Sequence, residues 1–257
     1  MSKILFQTDG AIASIGLNRP GKLHALDEEM LAGLTDAVAA IETSRDIRVV
    51  LLGATGERAF SVGADILAWT SLEPFDMWRR WIRDGHRLFD RIADLRQPVI
   101  ATLNGYTLGG GLELALAADI RLAAETARLG APEVSIAAIP GWGATHRLPA
   151  LIGAGRAKQM IFSGQPISAA QAEAWGLVNE ALPADELEAR ALELARQIAA
   201  NAPIAVQLAK QAINGGEGGH PAATLEGMAG ALTAQTEDAA EGLASFKEKR
   251  PPRFSGR

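Results

Sequence analysis

The chain has 257 residues, 48% of them hydrophobic and 21% charged, with a formal net charge of −5. That balance excludes wholesale disorder, and the mild acidity argues against a protein that coats nucleic acid, which needs a basic face. There is no cysteine, so a disulfide scaffold, a thiolate zinc site, an iron–sulfur cluster and a cysteine nucleophile are all excluded.

In chain order, residues 4–8 and 11–17 read as short strands joined at Asp9-Gly10, a hairpin signal. The opening apolar run is too short for the core of a signal peptide, which makes the cytoplasm the expected address. Asp27 caps a helix with Glu28 and Glu29 in its first turn and Leu31, Leu34, Val38 and Ile41 at helical spacing. Arg48 to Gly53 is an apolar, β-branched run that predicts a buried strand, followed by a loop over 54–63. Residues 74–94 have helical periodicity through Phe75, Trp78, Ile82, Leu88 and Ile92. Pro98 opens another buried strand, Val99 to Leu103, and Gly109-Gly110-Gly111 leads into a helix over 112–118. The apolar stretch from Pro98 to Ala124 is broken by Asn104, Glu113 and Asp119, so it reads as core; a membrane span wants about 20 mostly apolar residues.

From Ser168 the pattern turns helical. Ser168 caps 169–175, Pro183 precedes 184–200, Pro203 opens 203–213, and a Gly-rich break at 214–219 precedes a last helical stretch over about 221–248. The shift predicts an α/β core over 1–198 and a helical region over 199–257. Residues 247–257 carry a charge of +4 against −9 for the remainder. On composition they are a solvated terminus or a phosphate-binding patch.

Several motifs fail. Gly141-Trp-Gly143 has His146 where a dinucleotide fingerprint needs its third glycine, and no GxxxxGK[ST] loop exists. The four histidines lack metal-ligand spacing, so no metal is expected, and Ser61 is not in a nucleophile elbow. What remains is two glycine-bearing loops, 59–66 and 104–114, each after a predicted strand. Bare N–H groups at a helix start suit an oxyanion; close packing of helix on strand uses glycine equally. Glu113 sits among Leu112, Leu114 and Leu116, and Glu133 lies 20 residues on in an apolar segment. Two carboxylates in different surroundings can divide acid and base roles, although spacing alone does not bring them together.

The segments AFSVGADI, NGYTLGGGLELALAADI, APEVSIAAIPGWGATHRLPALIG, SGQPISAAQAEAWGLVNE and EGLASFKEKRPPRF together resemble the crotonase (enoyl-CoA hydratase/isomerase) family, along essentially the whole chain. The resemblance implies a spiral of ββα units with a C-terminal helical domain that assembles homotrimers or homohexamers. It implies an acyl-CoA substrate, with coenzyme A as part of that substrate, and neither a separate cofactor, a nucleic acid nor a membrane as partner. By position it places an oxyanion hole at the Ala64 and Gly110 N–H groups, the catalytic pair at Glu113 and Glu133, and water positioning at Gly141. Coenzyme A contacts fall at Lys22, His24, Ala25, Asp65 and Ile66, with Phe246 and Lys249 supplied by a neighbouring subunit. That last role gives the basic tail a reason. The implied activity is hydration of a 2-enoyl-CoA. A double-bond isomerase, a specialised acyl-CoA dehydratase, an RNA-binding scaffold and a purely structural oligomer are the alternatives. Trp142 would narrow an acyl pocket or serve as a core aromatic, whereas Trp69, Trp78 and Trp81 read first as core or interface.

Overall fold

The apolar runs pair into two sheets. In the computed structural model, which describes residues 2–70, 72–215 and 220–257, the strands are β1 (Ile4–Asp9), β2 (Ile12–Leu17), β3 (Val49–Ala54), β4 (Ala59–Ser61), β5 (Val99–Leu103), β6 (Tyr106–Leu108), β7 (Ile120–Ala124), β8 (Arg128–Gly130), β9 (Ile167–Ser168) and β10 (Glu180–Leu182). The large sheet has the order β1-β2-β3-β5-β7-β10, antiparallel only at the β1–β2 hairpin; the small one is β4-β6-β8-β9, antiparallel only at β8–β9.

The helices follow as α1 (Glu28–Thr43), α2 (Ile66–Trp69), α3 (Pro74–Asp76), α4 (Arg83–Ala93), α5 (Gly110–Leu116), α6 (Ala144–Ser163), α7 (Ala169–Trp175), α8 (Leu187–Ala199), α9 (Pro203–Asn214), α10 (His220–Thr233) and α11 (Glu237–Glu248). Three times a strand of the large sheet is followed by a strand of the small sheet and then by helix: β3-β4-α2, β5-β6-α5 and β7-β8-α6. This is the expected α/β spiral of ββα units, with helices at the C-terminus.

Each capping expectation has a visible cause. The Asp27 carboxylate accepts from the Met30 N–H at 3.0 Å, and α1 buries Met30, Leu34, Val38 and Ile41. Ser168 caps α7 in the same way, and Pro203 stands at the first turn of α9. The central strands are buried on both faces, which is why they read as continuous apolar runs. Val50, Leu52, Val99 and Leu103 join the main core, while Val49, Ile100 and Leu122 point the other way, onto Leu187, Ala191 and Ala195 of α8. Beyond α8, the buried Lys210 ties α9 to the sheet by donating to Asp119 Oδ2 (2.8 Å) and to the Gln97 carbonyl (3.1 Å).

Four expectations need correction. The loop over 54–63 contains β4, too short to have a readable period. The helix expected over 74–94 is interrupted by a π-helical turn, Met77–Ile82. Its wider i→i+5 bonding rotates the register, so Trp81 faces the core while Phe75 and Trp78 are 67% and 63% exposed. The helix after Pro183 begins only at Leu187, behind β10. The stretch over 221–248 is two helices, because Thr236 accepts from the Ala239 N–H and caps a new one. Of the Gly-rich break at 214–219, residues 216–219 lie outside the described residues. Among the described residues no helix is long and apolar enough to cross a membrane.

Candidate active site

Parallel neighbours in a sheet deliver their carboxyl ends to one edge, and the small sheet does so three times over. The loops after β4, β6 and β8 carry Ala64, Gly110 and Glu133, two or three residues beyond their strands. They meet over a cavity of about 550 Å³ that these residues line together with Glu113, Gly141 and Trp142.

Backbone geometry aims two N–H groups into it. Leu26 donates to the Gly63 carbonyl and accepts from the Asp65 N–H, both at 2.8 Å, in a parallel bridge centred on Ala64. Because alternate peptide groups point to opposite sides, the Ala64 N–H faces away from Leu26, toward Gly110. Gly110 is the first residue of α5, so its N–H has no acceptor within the helix. The approach is close enough to demand glycine: a β-carbon on Gly63 (φ +97°) would lie 3.0 Å from the Gly110 nitrogen and 2.9 Å from the Leu108 carbonyl. Gly109 (φ +53°) needs its left-handed backbone for the same turn.

The two carboxylates do meet, in unlike settings. Glu113, one turn into α5, is 3% exposed, and its Oε1 accepts from the N–H groups of Trp142 (2.7 Å) and Ala144 (3.1 Å). Burial pushes its carboxyl up from 4.5, while the N–H groups of Ala144, Trp142 and Gly141 and the charge of His86 pull against that. Glu133 opens a 3-10 turn, Glu133–Ile136, and its buried Oε2 has no partner among the described residues. Burial pushes Glu133 up to about 7, its own backbone N–H pulling the other way and the charge of Glu113 adding to the rise.

This shift has a stability consequence. Folded Glu133 keeps its proton between 4.5 and about 7, where the unfolded chain has lost it, so unfolding free energy falls as pH rises across that window. Glu133→Gln cannot ionise. It is therefore expected to melt at least about 2 °C above the wild type at pH 8 and together with it at pH 4.5. Equal melting temperatures at pH 8 would contradict the burial of this charge.

The other expected site residues divide. Lys22, His24 and Ala25 lie in the segment that runs beside 62–65, so the structure brings the 22–25 and 64–66 segments together. Lys22 and Ile66 are exposed, and Asp65 caps α2 and pairs with Arg19 at 2.7 Å. The His24 ring is turned inward. At 2% exposure its Nδ1 accepts from the Arg19 N–H and its Nε2 faces the Thr55 carbonyl, both at 2.9 Å. A carbonyl only accepts, so Nε2 carries the proton and the ring is neutral; burial lowers its pKa accordingly. The imidazole holds the loop and is not presented to a ligand.

Phe246 and Lys249 do not line this cavity. Phe246 is 84% exposed on α11 and Lys249 ends that helix in a left-handed conformation. The tail is not frayed: buried Asp238 accepts from the Ser255 and Gly256 N–H groups, and Arg250 pairs with Glu241 and Glu248. Trp142 is at once a core aromatic and a cavity wall. It is 2% exposed, packs on Trp81 and Phe89 at 5.3 Å each, and donates its indole N–H to the Trp81 carbonyl. The role of the Trp142 and Ala144 N–H groups was missed from sequence; a glycine-flanked turn after Pro140 is the signal that could have pointed to them. Among the described residues no group of three or more His, Asp and Glu could hold a metal ion.

A sequence model of the family described as enoyl-CoA hydratase/isomerase matches residues 7–257. The short-chain-enoyl-CoA hydratase of Clostridium acetobutylicum is 38% identical over 252 residues, 97% of this chain and 96% of that protein. The mitochondrial methylglutaconyl-CoA hydratase of Mus musculus is 36% identical over 258 residues, 98% of this chain and 82% of that protein. The crystal structure of an enoyl-CoA hydratase from Bacillus anthracis superposes with a TM-score of 0.96 at 41% identity, covering 99% of this chain and 100% of that one.

Proposed function

The chain belongs to the enoyl-CoA hydratase/isomerase family, and we propose that within it this protein adds water across the double bond of a 2-enoyl-CoA, giving a 3-hydroxyacyl-CoA. The observation that carries the reading is a pair of carboxylates of unlike character, buried Glu113 and half-buried Glu133, in one cavity with two inward N–H groups. The thioester oxygen accepts from the Ala64 and Gly110 N–H groups, so charge that builds on it meets fixed dipoles. Glu113, whose bonds from the 141–144 backbone favour its charged form, takes a proton from water as the oxygen bonds to C3. Glu133, which holds a proton up to about pH 7, delivers that proton to C2. Solvent then removes the proton from Glu113 and reloads Glu133. The thioester is its own electron sink, so the step asks for no separate cofactor. Coenzyme A fits along the adjoining 22–25 and 64–66 segments, and Phe246 and Lys249 of a neighbouring copy in a trimer or hexamer complete its site.

The cavity also narrows the acyl group. Besides the two glutamates and Ser135 its wall is apolar, formed by Trp69, Met77, Trp81, Ile82, Ile136 and Ile139, with no cationic side chain among the described residues. The π-helical turn presents three of these, Met77, Trp81 and Ile82, on one side. An uncharged tail fits and a carboxylate tail has no counter-ion. The test is to follow loss of conjugated-thioester absorbance with crotonyl-CoA and with a 2-enoyl-CoA whose tail ends in a carboxylate. The second is expected to have kcat/KM lower by at least about 10²-fold; equal values would overturn the assignment of this wall, and no turnover of either would overturn hydration itself.

A further inference from the structure

The loop that serves Glu113 is itself gripped from behind. All peptides here are trans, so the 141–142 peptide, whose N–H points at Glu113, turns its carbonyl the opposite way. That carbonyl, of Gly141, faces His86 Nδ1 at 3.3 Å. The next carbonyl, of Trp142, accepts from Arg147 Nη1 at 3.1 Å. Both side chains converge on Asp90: Arg147 Nη2 lies 2.5 Å from Oδ1 and His86 Nε2 lies 3.4 Å from Oδ2. His86 and Asp90 are one turn apart on α4, whereas Arg147 stands in the first turn of α6, so the grip joins two helices across the loop.

The fit is close. The Arg147 side chain is only 12% exposed, and a β-carbon on Gly143 (φ +123°) would fall 1.9 Å from its guanidinium. Gly143 is therefore bare because Arg147 lies against it. The His146 ring sits 5.6 Å from that of His86, adding a fourth side chain to the cluster. None of His86, Asp90 or Arg147 lines the cavity, so none touches substrate.

We infer that Arg147, braced by Asp90 and seconded by His86, is a positioning residue for hydration: His86 holds the 141–142 peptide, whose N–H bonds Glu113, and Arg147 holds the 142–143 peptide, which joins that donor to the Ala144 N–H, so both donors stay aimed at Glu113. A guanidinium does this where an ammonium does not, since its fork reaches the Trp142 carbonyl and Asp90 at once. The inference rests on Glu113 acting as the base. Its signature is coupling: Arg147 matters only as long as there is a carboxylate at 113 to orient.

The experiment is a double-mutant cycle on the full-length protein, with crotonyl-CoA as substrate. Arg147→Met is expected to lower kcat by about 10- to 30-fold and to move KM by less than about twofold. Arg147→Lys recovers part of that loss. In a Glu113→Gln background the same Arg147→Met change is expected to cost less than about twofold more. If Arg147→Met does not fold by circular dichroism, His86→Gln, at a half-exposed position, reads the same coupling with an expected loss of about three- to tenfold. An Arg147→Met enzyme as fast as the wild type, beside a slow Glu113→Gln, overturns the grip alone, as does an undiminished loss in the Glu113→Gln background. A Glu113→Gln enzyme as fast as the wild type removes the base assignment and the grip with it.

Discussion

Glu113→Gln and Glu133→Gln are each expected to lower kcat for crotonyl-CoA hydration by about 10²–10⁴, the usual worth of a positioned acid or base, with KM little changed. Glutamine keeps the volume and, through its carbonyl, still accepts from the Trp142 and Ala144 N–H groups, so the loop it faces stays in place. What is lost is proton transfer alone. At 113 the water can no longer be deprotonated; at 133 there is no proton for C2. The two changes act on one step, so the double variant is expected to be little slower than the worse single one. Steady-state kinetics of the three variants check this. A loss confined to Glu133→Gln would instead point to a double-bond isomerase with one dominant proton carrier.

Ala64→Pro is expected to lower kcat/KM by about 10²–10³, close to 3–4 kcal/mol, the typical effect of deleting one oxyanion donor. The position permits a clean deletion. The bridge to Leu26 uses the Gly63 carbonyl and the Asp65 N–H, so a proline at 64 removes no hydrogen bond of the fold. Gly63 before it has no β-carbon to meet the ring. Ala64→Gly, which keeps the N–H, is the control and is expected to stay within about threefold of the wild type. If the proline variant is folded and equally fast, the thioester oxygen is held elsewhere.

Much of this arrangement was legible in the residues, and what escaped has physical reasons. Asp27, Ser168 and Pro203 mark helix starts through local bonds, so local sequence finds them. β4, β6 and β8, which carry the site, are three residues each, too short for a period of two to register. The π-helical turn leaves Phe75 and Trp78 exposed although the helical periodicity ran through them, because a periodicity argument assumes an unbroken α-helix. Spacing could not say that Glu113 and Glu133 share a cavity, since the pairing of β6 with β8 is what brings their loops together. His24 carried no mark of its structural role either; both its ring nitrogens are satisfied by backbone groups, one of them 31 residues away.

The central claim is that one water is added to the alkene of an intact thioester, and the mass of the product tests it most directly. The wild-type enzyme turns over crotonyl-CoA in water enriched in the heavy oxygen isotope, and the thioester is analysed by mass spectrometry. The account predicts a coenzyme A ester heavier by one labelled water, with the label in a hydroxyl at C3. An ester of unchanged mass with a displaced double bond, or free coenzyme A beside a labelled acid, would contradict it.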